Sequence, residues 1–349
     1  MPHVMDRIRS RVQGLKMRIA LPEGDEERTL RAARMAVSAD LGQIVLVGAE
    51  EKIRQVADDL SISLANMEIV DPGNEEVRQR CAELYYDRRQ HKGVSEDEAY
   101  RQVLDPVYCG SLLLSLGEVD CLVTGAVAST AKVLRALLRC VGCAPGVSTV
   151  SGCFIVDTDL RDVGTDGTMI YADAGVVPQP TPYQLADIAI TSAESARLYL
   201  EAEPRVALLS FSTRGSASHP DVNKVVQATR LAQERRPDLI IDGELQLDAA
   251  IVPAVAERKC PDSPVEGRAN VLIFPDLDAG NIGYKVTQWI GGARAYGPLV
   301  QGLARPGMDL SRAAAPDDIT NVIAVAALRA AVACGVLEAG APAEGSDEA

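Results

Sequence analysis

The sequence predicts an α/β protein of two domains, each built on a mostly parallel sheet flanked by helices. Short apolar runs that end in Gly, Asp or Pro alternate with helical patterns, as in residues 18–22, 26–35 and 43–47. This alternation is typical of parallel strands covered by helices. The chain has 349 residues. A usual domain has roughly 100–200 residues, so two domains are expected.

The middle of the chain predicts a second sheet of mixed strand direction. Residues 152–157 and 168–171 are apolar runs joined by a short segment containing Gly and Asp, and this spacing favours an antiparallel pair. The segment 297–308 is punctuated by Gly and Pro and reads as a loop before the final helix. Further strands are expected at residues 205–211, 238–242 and 270–275.

The net charge of −14 argues against nucleic acid and anionic membranes as partners, because like charges repel. An anionic substrate would therefore need a few well-placed arginines. No stretch approaches the ~20 apolar residues of a membrane span. The N-terminus lacks the apolar run of a secretion signal. A cytoplasmic location is expected.

The eight cysteines are too dilute for a disulfide scaffold. Cys140 and Cys143 form the only close pair, and neither a second pair nor a nearby histidine accompanies them. A zinc or redox site needs such additional ligands. Reduced thiols and no metal are the expectation.

Three loops follow predicted strands and precede predicted helices: residues 124–131, 210–220 and 276–283. Free backbone N–H groups and hydroxyls at a helix N-terminus favour an anion. Ordinary strand–helix turns use the same residue types, but three such loops in one chain favour a substrate that carries phosphate. No loop fits the full Rossmann or P-loop pattern. The candidate substrate-binding residues are Ser129, Thr130, Ser212, Thr213, Gly215, Ser216, Asn281 and Lys285.

A polar tetrapeptide, residues 309–312, precedes the final helix. Arg312 can hold a phosphate or carboxylate with its planar fork. Ser311 can donate a hydrogen bond to a developing oxyanion or act as a nucleophile. None of the three histidines lies nearby in sequence, so a Ser-His-Asp triad is not expected.

Several carboxylates have two possible functions. Asp318 lies in the first turn of the final helix, where a carboxylate is commonly a structural cap. Asp242, Glu244 and Asp248 are close in sequence and are either structural or ligands of a divalent cation. A metal-dependent decarboxylating dehydrogenase that uses these three is one alternative function.

Long motifs occur in a fixed order along the chain. They are residues 171–174 with 178–182, 212–220, 242–250, 274–285, and 297–302 through 309–312. Together they resemble the phosphate acetyl/butyryl transferase family, and the resemblance covers about residues 18–328. Several long motifs in one order are far more specific than any single Gly-rich loop.

The resemblance implies a fold similar to that of the isocitrate and isopropylmalate dehydrogenases, with an active-site cleft between the domains. The last helical segment is expected to pack back on the first domain. The expected first domain comprises residues 1–145 and 302–337, and the second comprises residues 146–301. Residues 338–349, rich in Ala, Gly, Glu and Pro, are expected to be disordered.

The implied reaction is reversible: acetyl-CoA and phosphate give CoA and acetyl phosphate by direct transfer in a ternary complex. Coenzyme A is a co-substrate, and neither a metal nor another cofactor is expected. A homodimer is the expected assembly. Alternatives are a preference for butyryl or propionyl groups and a non-catalytic relative that senses acyl-CoA.

On this resemblance, Asp318 matches the general base for the CoA thiol, Ser311 the residue that stabilises the transition state, and Arg312 the phosphate ligand. Arg89 and Arg135 match arginines implicated in CoA binding. A carboxylate of pKa ~4 is a weak base for a thiol of pKa ~8.5. Asp318 is therefore expected to be partly desolvated, with a raised pKa.

Several positions depart from the family pattern: Ala128, Lys132, Ala136, Ala174, Val177, Trp289, Met308 and Ala313. They leave the five matched catalytic and CoA-binding residues intact. Ala128 and Lys132 are expected to alter the acyl pocket or the contacts with CoA.

Overall fold

The computed structural model describes residues 3–340, which form two separate sheets. The first sheet has the strand order β11-β4-β1-β2-β3, and all its neighbours are parallel. Its strands are β1 (Arg18–Pro22), β2 (Gln43–Val47), β3 (Met67–Val70), β4 (Cys121–Thr124) and β11 (Gly307–Asp309).

The second sheet has the order β10-β5-β6-β9-β7-β8. The β10–β5 and β5–β6 pairs are antiparallel, whereas β6, β9, β7 and β8 run parallel. Its strands are β5 (Ser151–Asp157), β6 (Thr168–Ala172), β7 (Arg205–Leu209), β8 (Ile240–Leu245), β9 (Val271–Ile273) and β10 (Arg294–Gln301). The predicted α/β fold with one mixed sheet is confirmed.

Helices cover the sheets. The first six are α1 (Val4–Val12), α2 (Glu27–Ser38), α3 (Glu50–Asp59), α4 (Glu75–Arg89), α5 (Glu96–Gln102) and α6 (Pro106–Leu116), with a 3-10 turn at Gln90–Lys92. The others are α7 (Thr130–Cys140), α8 (Pro182–Leu200), α9 (Pro220–Arg235), α10 (Leu247–Ile251), α11 (Pro253–Lys259), α12 (Leu277–Trp289) and α13 (Pro316–Ala333). None in residues 3–340 is both long and apolar enough to cross a bilayer.

The prediction of a loop over residues 297–308 holds only for residues 302–306 and is wrong at both ends, which contribute strands to the two sheets. β10 pairs with β5 through an irregularity between Tyr296 and Leu299. A Cβ atom at position 297 would lie 2.7 Å from the Phe154 ring, so only glycine permits this approach. β11 pairs with β4 at the edge of the first sheet. Gly and Pro here mark a bulged strand rather than a loop.

Helix α13 joins the two sheets. It packs against α1, α2 and β4 on one side and against β10 on the other. Apolar residues at helical spacing, including Ile319, Ile323 and Leu328, are fully buried in the shared core. The start of α13 is therefore held between the sheets, and it follows the tetrapeptide 309–312 directly.

The first sheet takes strands from residues 18–124 and 307–309, on either side of the segment that forms the second sheet. The proposed domain limits remain a prediction. Most of the tail expected to be disordered, residues 341–349, lies outside the described residues.

Candidate active site

A cavity of about 260 Å³ lies between elements of the two sheets. Ser311 and Asp318 line it from the segment that leads into α13, and Leu299 lines it from β10. Its other walls are largely aromatic and aliphatic: Phe154, Tyr284, Trp289, Tyr296, Val322 and Val325. The cavity thus combines an apolar wall with a hydroxyl and a carboxylate.

The tetrapeptide forms a turn where β11 ends. The Leu310 N–H donates to the Thr124 carbonyl at 2.8 Å, which continues the pairing with β4. The Ser311 hydroxyl accepts a hydrogen bond of 3.3 Å from the Ala313 N–H. Arg312 is exposed, and its guanidinium makes no ion pair within residues 3–340. Both predicted catalytic side chains of this turn are therefore accessible.

Asp318 accepts a hydrogen bond of 3.0 Å from the Ala315 N–H at the start of α13. It is exposed and lines the cavity. The expectation of a partly desolvated Asp318 is wrong for this conformation, because the residue is exposed. Its capping contact and its access to the cavity are compatible.

Asp309 is the buried carboxyl of the site. It is 1% exposed, and neither carboxyl oxygen has a hydrogen-bond partner of normal geometry among the described residues. Burial raises the pKa of Asp309 to about 6; the nearby Thr130 hydroxyl and Leu310 N–H lower it in part, and the charge of Glu23 adds to the rise. The tetrapeptide therefore pairs two exposed polar side chains with one buried acid.

The loop after β4 wraps around the carboxylate of Glu23. The N–H groups that donate to it belong to Gly125, Ala126, Val127 and Ala128, and the first two donate at 2.9 Å. Successive N–H groups that converge on one anion form a nest. The anion in this nest is the protein's own side chain, so these four groups are not free for a substrate phosphate.

Arg28, at the start of α2, binds carbonyl groups beside the same loop. Its Nη1 donates to the carbonyl oxygens of Arg312 at 2.7 Å and Ala314 at 3.1 Å, and its Nη2 donates to that of Ala126 at 2.8 Å. Its Nε donates to Glu26 at 2.6 Å. The guanidinium is therefore fixed on all its edges.

The loop after β7 encloses another internal carboxylate. Glu244 Oε1 accepts hydrogen bonds from the Ser212 hydroxyl and the Gly215 N–H, both at 2.8 Å. The Ser216 hydroxyl accepts from the Thr213 N–H at 3.0 Å. The four predicted substrate-binding residues of this loop are thus bonded to groups of the protein itself.

The acidic residues considered as cation ligands have separate partners. Asp242 accepts from Arg214 at 2.7 Å and from the Ser263 hydroxyl at 2.5 Å. Asp248 is paired with Lys259 at 2.7 Å. Within residues 3–340, no three His, Cys, Asp or Glu side chains are arranged to hold a metal ion.

Asn281 and Lys285 lie on α12, whose N-terminus is capped by Asp276. The Asn281 amide donates to the Ala174 carbonyl at 3.2 Å. Lys285 is exposed, with its ammonium 5.8 Å from the centre of the Tyr284 ring. Neither residue lines the cavity, although Tyr284 on the same helix does.

The remaining predicted ligands lie near α7. Ser129 caps this helix, and Thr130 is exposed at its first position. Arg135 is exposed on α7, and Arg89 ends α4, which packs against α7. The Nε of Arg89 is buried without a hydrogen-bond partner among the described residues. Neither arginine forms an ion pair within residues 3–340.

The expectation that Ala128 and Lys132 alter the acyl pocket or the contacts with CoA stays a prediction, and neither residue lines this cavity. Ala128 is buried in the core of the first sheet, and Lys132 is paired with Asp105 at 2.6 Å. Two other departures, Trp289 and Ala313, do line the cavity. The other departing residues are mostly internal: Ala136, Ala174 and Met308 are buried, and Val177 is partly buried.

Sequence reasoning missed the aromatic walls and the two charged residues that hold the loops, Glu23 and Arg28. Aromatic residues make up only 4% of the chain, yet four of them line this one cavity. Their convergence depends on long-range packing, which leaves no local signal. Glu23 follows β1 directly, and its position at a strand end was the available clue.

Comparisons with known proteins identify relatives of this chain. The family model described as phosphate acetyl/butaryl transferase matches residues 3–327. A phosphate acetyltransferase from Treponema pallidum is 46% identical over 312 residues, 88% of this chain and 93% of the relative. One from Clostridium acetobutylicum is 46% identical over 315 residues, 90% of this chain and 95% of the relative.

Solved structures extend the likeness to the fold. A phosphotransacetylase from Staphylococcus aureus has a TM-score of 0.86 and 38% identity, covering 94% of this chain and 98% of that one. One from Streptococcus pyogenes has a TM-score of 0.88 and 36% identity with the same coverage. A putative 4-hydroxythreonine-4-phosphate dehydrogenase from Salmonella typhimurium, 13% identical with a TM-score of 0.54 over 90% of this chain and 99% of that one, shares the fold alone.

Proposed function

The chain belongs to the phosphate acetyl/butyryl transferase family, and we propose that it transfers an acetyl group reversibly between coenzyme A and phosphate. The observation that carries the proposal is that Ser311 and Asp318 line one cavity beside Arg312. These are the residues that match the family's catalytic positions. Relatives that are 46% identical bear the name phosphate acetyltransferase, which supports acetyl as the transferred group.

Asp318 takes the proton from the CoA thiol. A thiol of pKa ~8.5 is mostly protonated at neutral pH, and only its thiolate is a strong nucleophile. The exposure of Asp318 lets the thiol reach it. Entry of the substrates displaces water from the apolar cavity, and desolvation of the carboxylate strengthens it as a base.

The thiolate attacks the carbonyl carbon of acetyl phosphate. A C–S bond forms, and the negative charge that develops on the carbonyl oxygen accepts a hydrogen bond from Ser311. The C–O bond to phosphate then breaks, and phosphate leaves with the electron pair, held by the fork of Arg312. The thiol proton leaves through Asp318. No acyl-enzyme forms.

Arg89 and Arg135 bind the phosphate groups of CoA, with further contacts from Ser129, Thr130, Asn281 and Lys285. The charges of Arg89, Arg135 and Lys285 support this, because each is unpaired within residues 3–340. In a chain of net charge −14, unpaired cations mark where an anionic ligand is tolerated. Ser212, Thr213, Gly215 and Ser216 act by shaping their loop.

The reaction requires neither a metal nor a cofactor other than CoA as co-substrate. Dialysis against a chelator is therefore expected to leave the rate unchanged. Loss of activity that added Mg²⁺ restores would favour the metal-dependent alternative.

A preference for propionyl or butyryl groups is the second candidate. The apolar wall formed by Phe154, Leu299 and Val325 favours it, because each buried methylene contributes ~0.8 kcal/mol. Rates with acetyl-, propionyl- and butyryl-CoA separate the two candidates.

The protein acts as a homodimer in the cytoplasm. An apolar stripe on α12 supports the dimer: Ile282, Val286 and Trp289 are exposed and are followed by the exposed Ile290. A second copy that buries this stripe removes it from water. The location is supported by the proposed use of CoA. Light scattering on the purified chain measures the assembly.

The direct test is release of phosphate from acetyl phosphate, with and without CoA and with no added metal. CoA-dependent release is expected. An inactive wild-type chain that still binds acetyl-CoA would instead favour the sensing relative.

A further inference from the structure

Two loops of the first sheet meet beside the cavity. The β4 loop comprises residues 124–128, and the β11 turn comprises residues 310–314 and contains Ser311 and Arg312. The short connection from Glu23 to Arg28, between β1 and α2, lies against both.

The two ends of this connection bind different backbone groups: Glu23 binds N–H groups, and Arg28 binds carbonyl groups. Glu23 accepts hydrogen bonds from four successive N–H groups of the β4 loop. Arg28 donates to one carbonyl of the β4 loop and to two carbonyls of the β11 turn. An anion is matched to donors and a cation to acceptors, so these hydrogen bonds are charge-assisted and stronger than neutral ones.

The local backbone directs both side chains to these contacts. Glu23 has a φ of +64°, a left-handed conformation that is uncommon for residues other than glycine. Glu26 holds the guanidinium of Arg28 with one carboxyl oxygen and accepts the Thr29 N–H with the other. Arg28 is therefore oriented by the cap of α2.

We propose that Glu23 and Arg28 are positioning residues that fix the β11 turn against the β4 loop and so place the Ser311 hydroxyl and the Arg312 guanidinium for catalysis. This inference rests on the proposed function. It concerns residues that bind the backbone of the site and do not themselves line the cavity.

The site depends on this support because the side chains of Ser311 and Arg312 make few contacts that would hold them in place. Ser311 makes one long hydrogen bond, and the guanidinium of Arg312 makes none within residues 3–340. Across the contact, a Cβ atom at position 125 would lie 2.5 Å from Oδ1 of Asp309, so the loops touch without interlocking side chains. The positions of Ser311 and Arg312 are therefore set through the backbone that Arg28 holds.

The test compares Arg28→Ala and Arg28→Lys with Arg31→Ala as the matched control. Arg31 lies on the same helix, is exposed, and forms an ion pair with Glu27 at 2.8 Å. Because a misplacement of ~1 Å can cost ~10²-fold in rate, Arg28→Ala is expected to lower kcat by about 10- to 100-fold. The KM for acetyl phosphate should rise as well, because Arg312 holds its phosphate group.

Arg28→Lys should recover part of the rate, since an ammonium keeps the charge but lacks the fork. Arg31→Ala should match the wild type. A kcat for Arg28→Ala within twofold of the control overturns the inference. A rate loss that merely follows a lower folded fraction, measured by thermal unfolding, also overturns it.

Hydrogen exchange separates this inference from the proposed function. In Glu23→Gln, amides 125–128 should exchange at least tenfold faster while those of β1 and β4 stay protected. Unchanged exchange contradicts the contact itself. If the wild type is inactive but amides 125–128 exchange faster in Glu23→Gln, the contact is confirmed and only the proposed reaction is contradicted.

Discussion

The β4 loop and the loop after β7 are built alike but differ in what their surroundings leave unpaired. Each encloses a carboxylate of the protein, Glu23 in the first and Glu244 in the second. Beside Glu244, Asp242 is bonded to both Arg214 and Ser263. Beside Glu23, Asp309 has no hydrogen-bond partner among the described residues. Of these buried carboxyl groups, the unpaired one thus lies on the first sheet, next to the cavity.

This difference indicates which of the two regions mainly stabilises the fold and which mainly takes part in the reaction. Buried polar groups are nearly always hydrogen-bonded, and those that are not concentrate at functional sites. The loop after β7 follows the general rule, so its residues act mainly on stability. The β11 turn breaks the rule at Asp309, and Arg312 has no ion-pair partner within residues 3–340, so substitutions there should act mainly on the rate.

The largest effect is expected for Asp318→Asn. Loss of a general base should lower kcat by about 10²- to 10⁴-fold at pH 7. The deficit should shrink above pH 9, where the CoA thiol ionises without help. The pH dependence of the initial rate measures this. Asp317→Asn is the matched control, because Asp317 shares the first turn of α13 but does not line the cavity. A constant deficit from pH 7 to 10 would argue against a base.

Asp309→Asn is expected to change how stability depends on pH. The pKa of Asp309 is raised by burial to about 6 in the folded chain, whereas an unfolded aspartate titrates near ~3.9. The folded state therefore binds this proton more tightly, and the stabilisation present below pH 4 is lost as the pH rises through 6. The loss amounts to about 2–3 kcal/mol. Urea unfolding at pH 4 and pH 7 should show that the variant lacks this loss. Identical pH dependence in both chains would contradict it.

Arg214→Ala tests the other side of the comparison. It removes one partner of the buried Asp242, which keeps the Ser263 hydroxyl. The free energy of unfolding should fall by about 1–3 kcal/mol. Denaturant unfolding measures the loss, and kcat/KM of the folded enzyme should change little. A rate loss without a loss of stability would place this loop in the chemistry.

The smallest effect is expected for Lys132→Ala. Its partner Asp105 lies near the surface, and such ion pairs contribute less than ~1 kcal/mol. The KM values for acetyl phosphate and CoA, and the thermal midpoint, should stay close to those of the wild type. A marked change in the KM for CoA would contradict this prediction and would indicate that Lys132 contacts CoA.

Much of the fold follows from local sequence. The strands at Arg18–Pro22 and Gln43–Val47 have the predicted bounds, because each is an apolar run with clear turn residues after it. β10 and β11 were missed, because β10 contains a bulge at Gly297-Pro298 and β11 has only three residues. Both owe their conformation to partners far away in the chain.

The residues of the candidate site could be predicted from the sequence only where they belong to a family motif. Ser311, Arg312 and Asp318 stand in one short motif, and the structure places all three beside the cavity. Glu23 and Arg28 lie about 290 residues away from that motif and meet it only through the pairing of β1, β4 and β11. No local pattern encodes such a contact.

The most direct measurement compares Arg312→Ala with Arg214→Ala in CoA-dependent release of phosphate from acetyl phosphate. Arg312 lies beside the cavity and has no ion-pair partner in the described part of the chain, whereas Arg214 is bound to Asp242. Loss of a group that stabilises developing charge should lower kcat/KM by about 10²- to 10³-fold for Arg312→Ala, with little change in stability. Arg214→Ala should keep nearly the full rate and lose stability. Near-normal turnover by folded Arg312→Ala would contradict the placement of the active site.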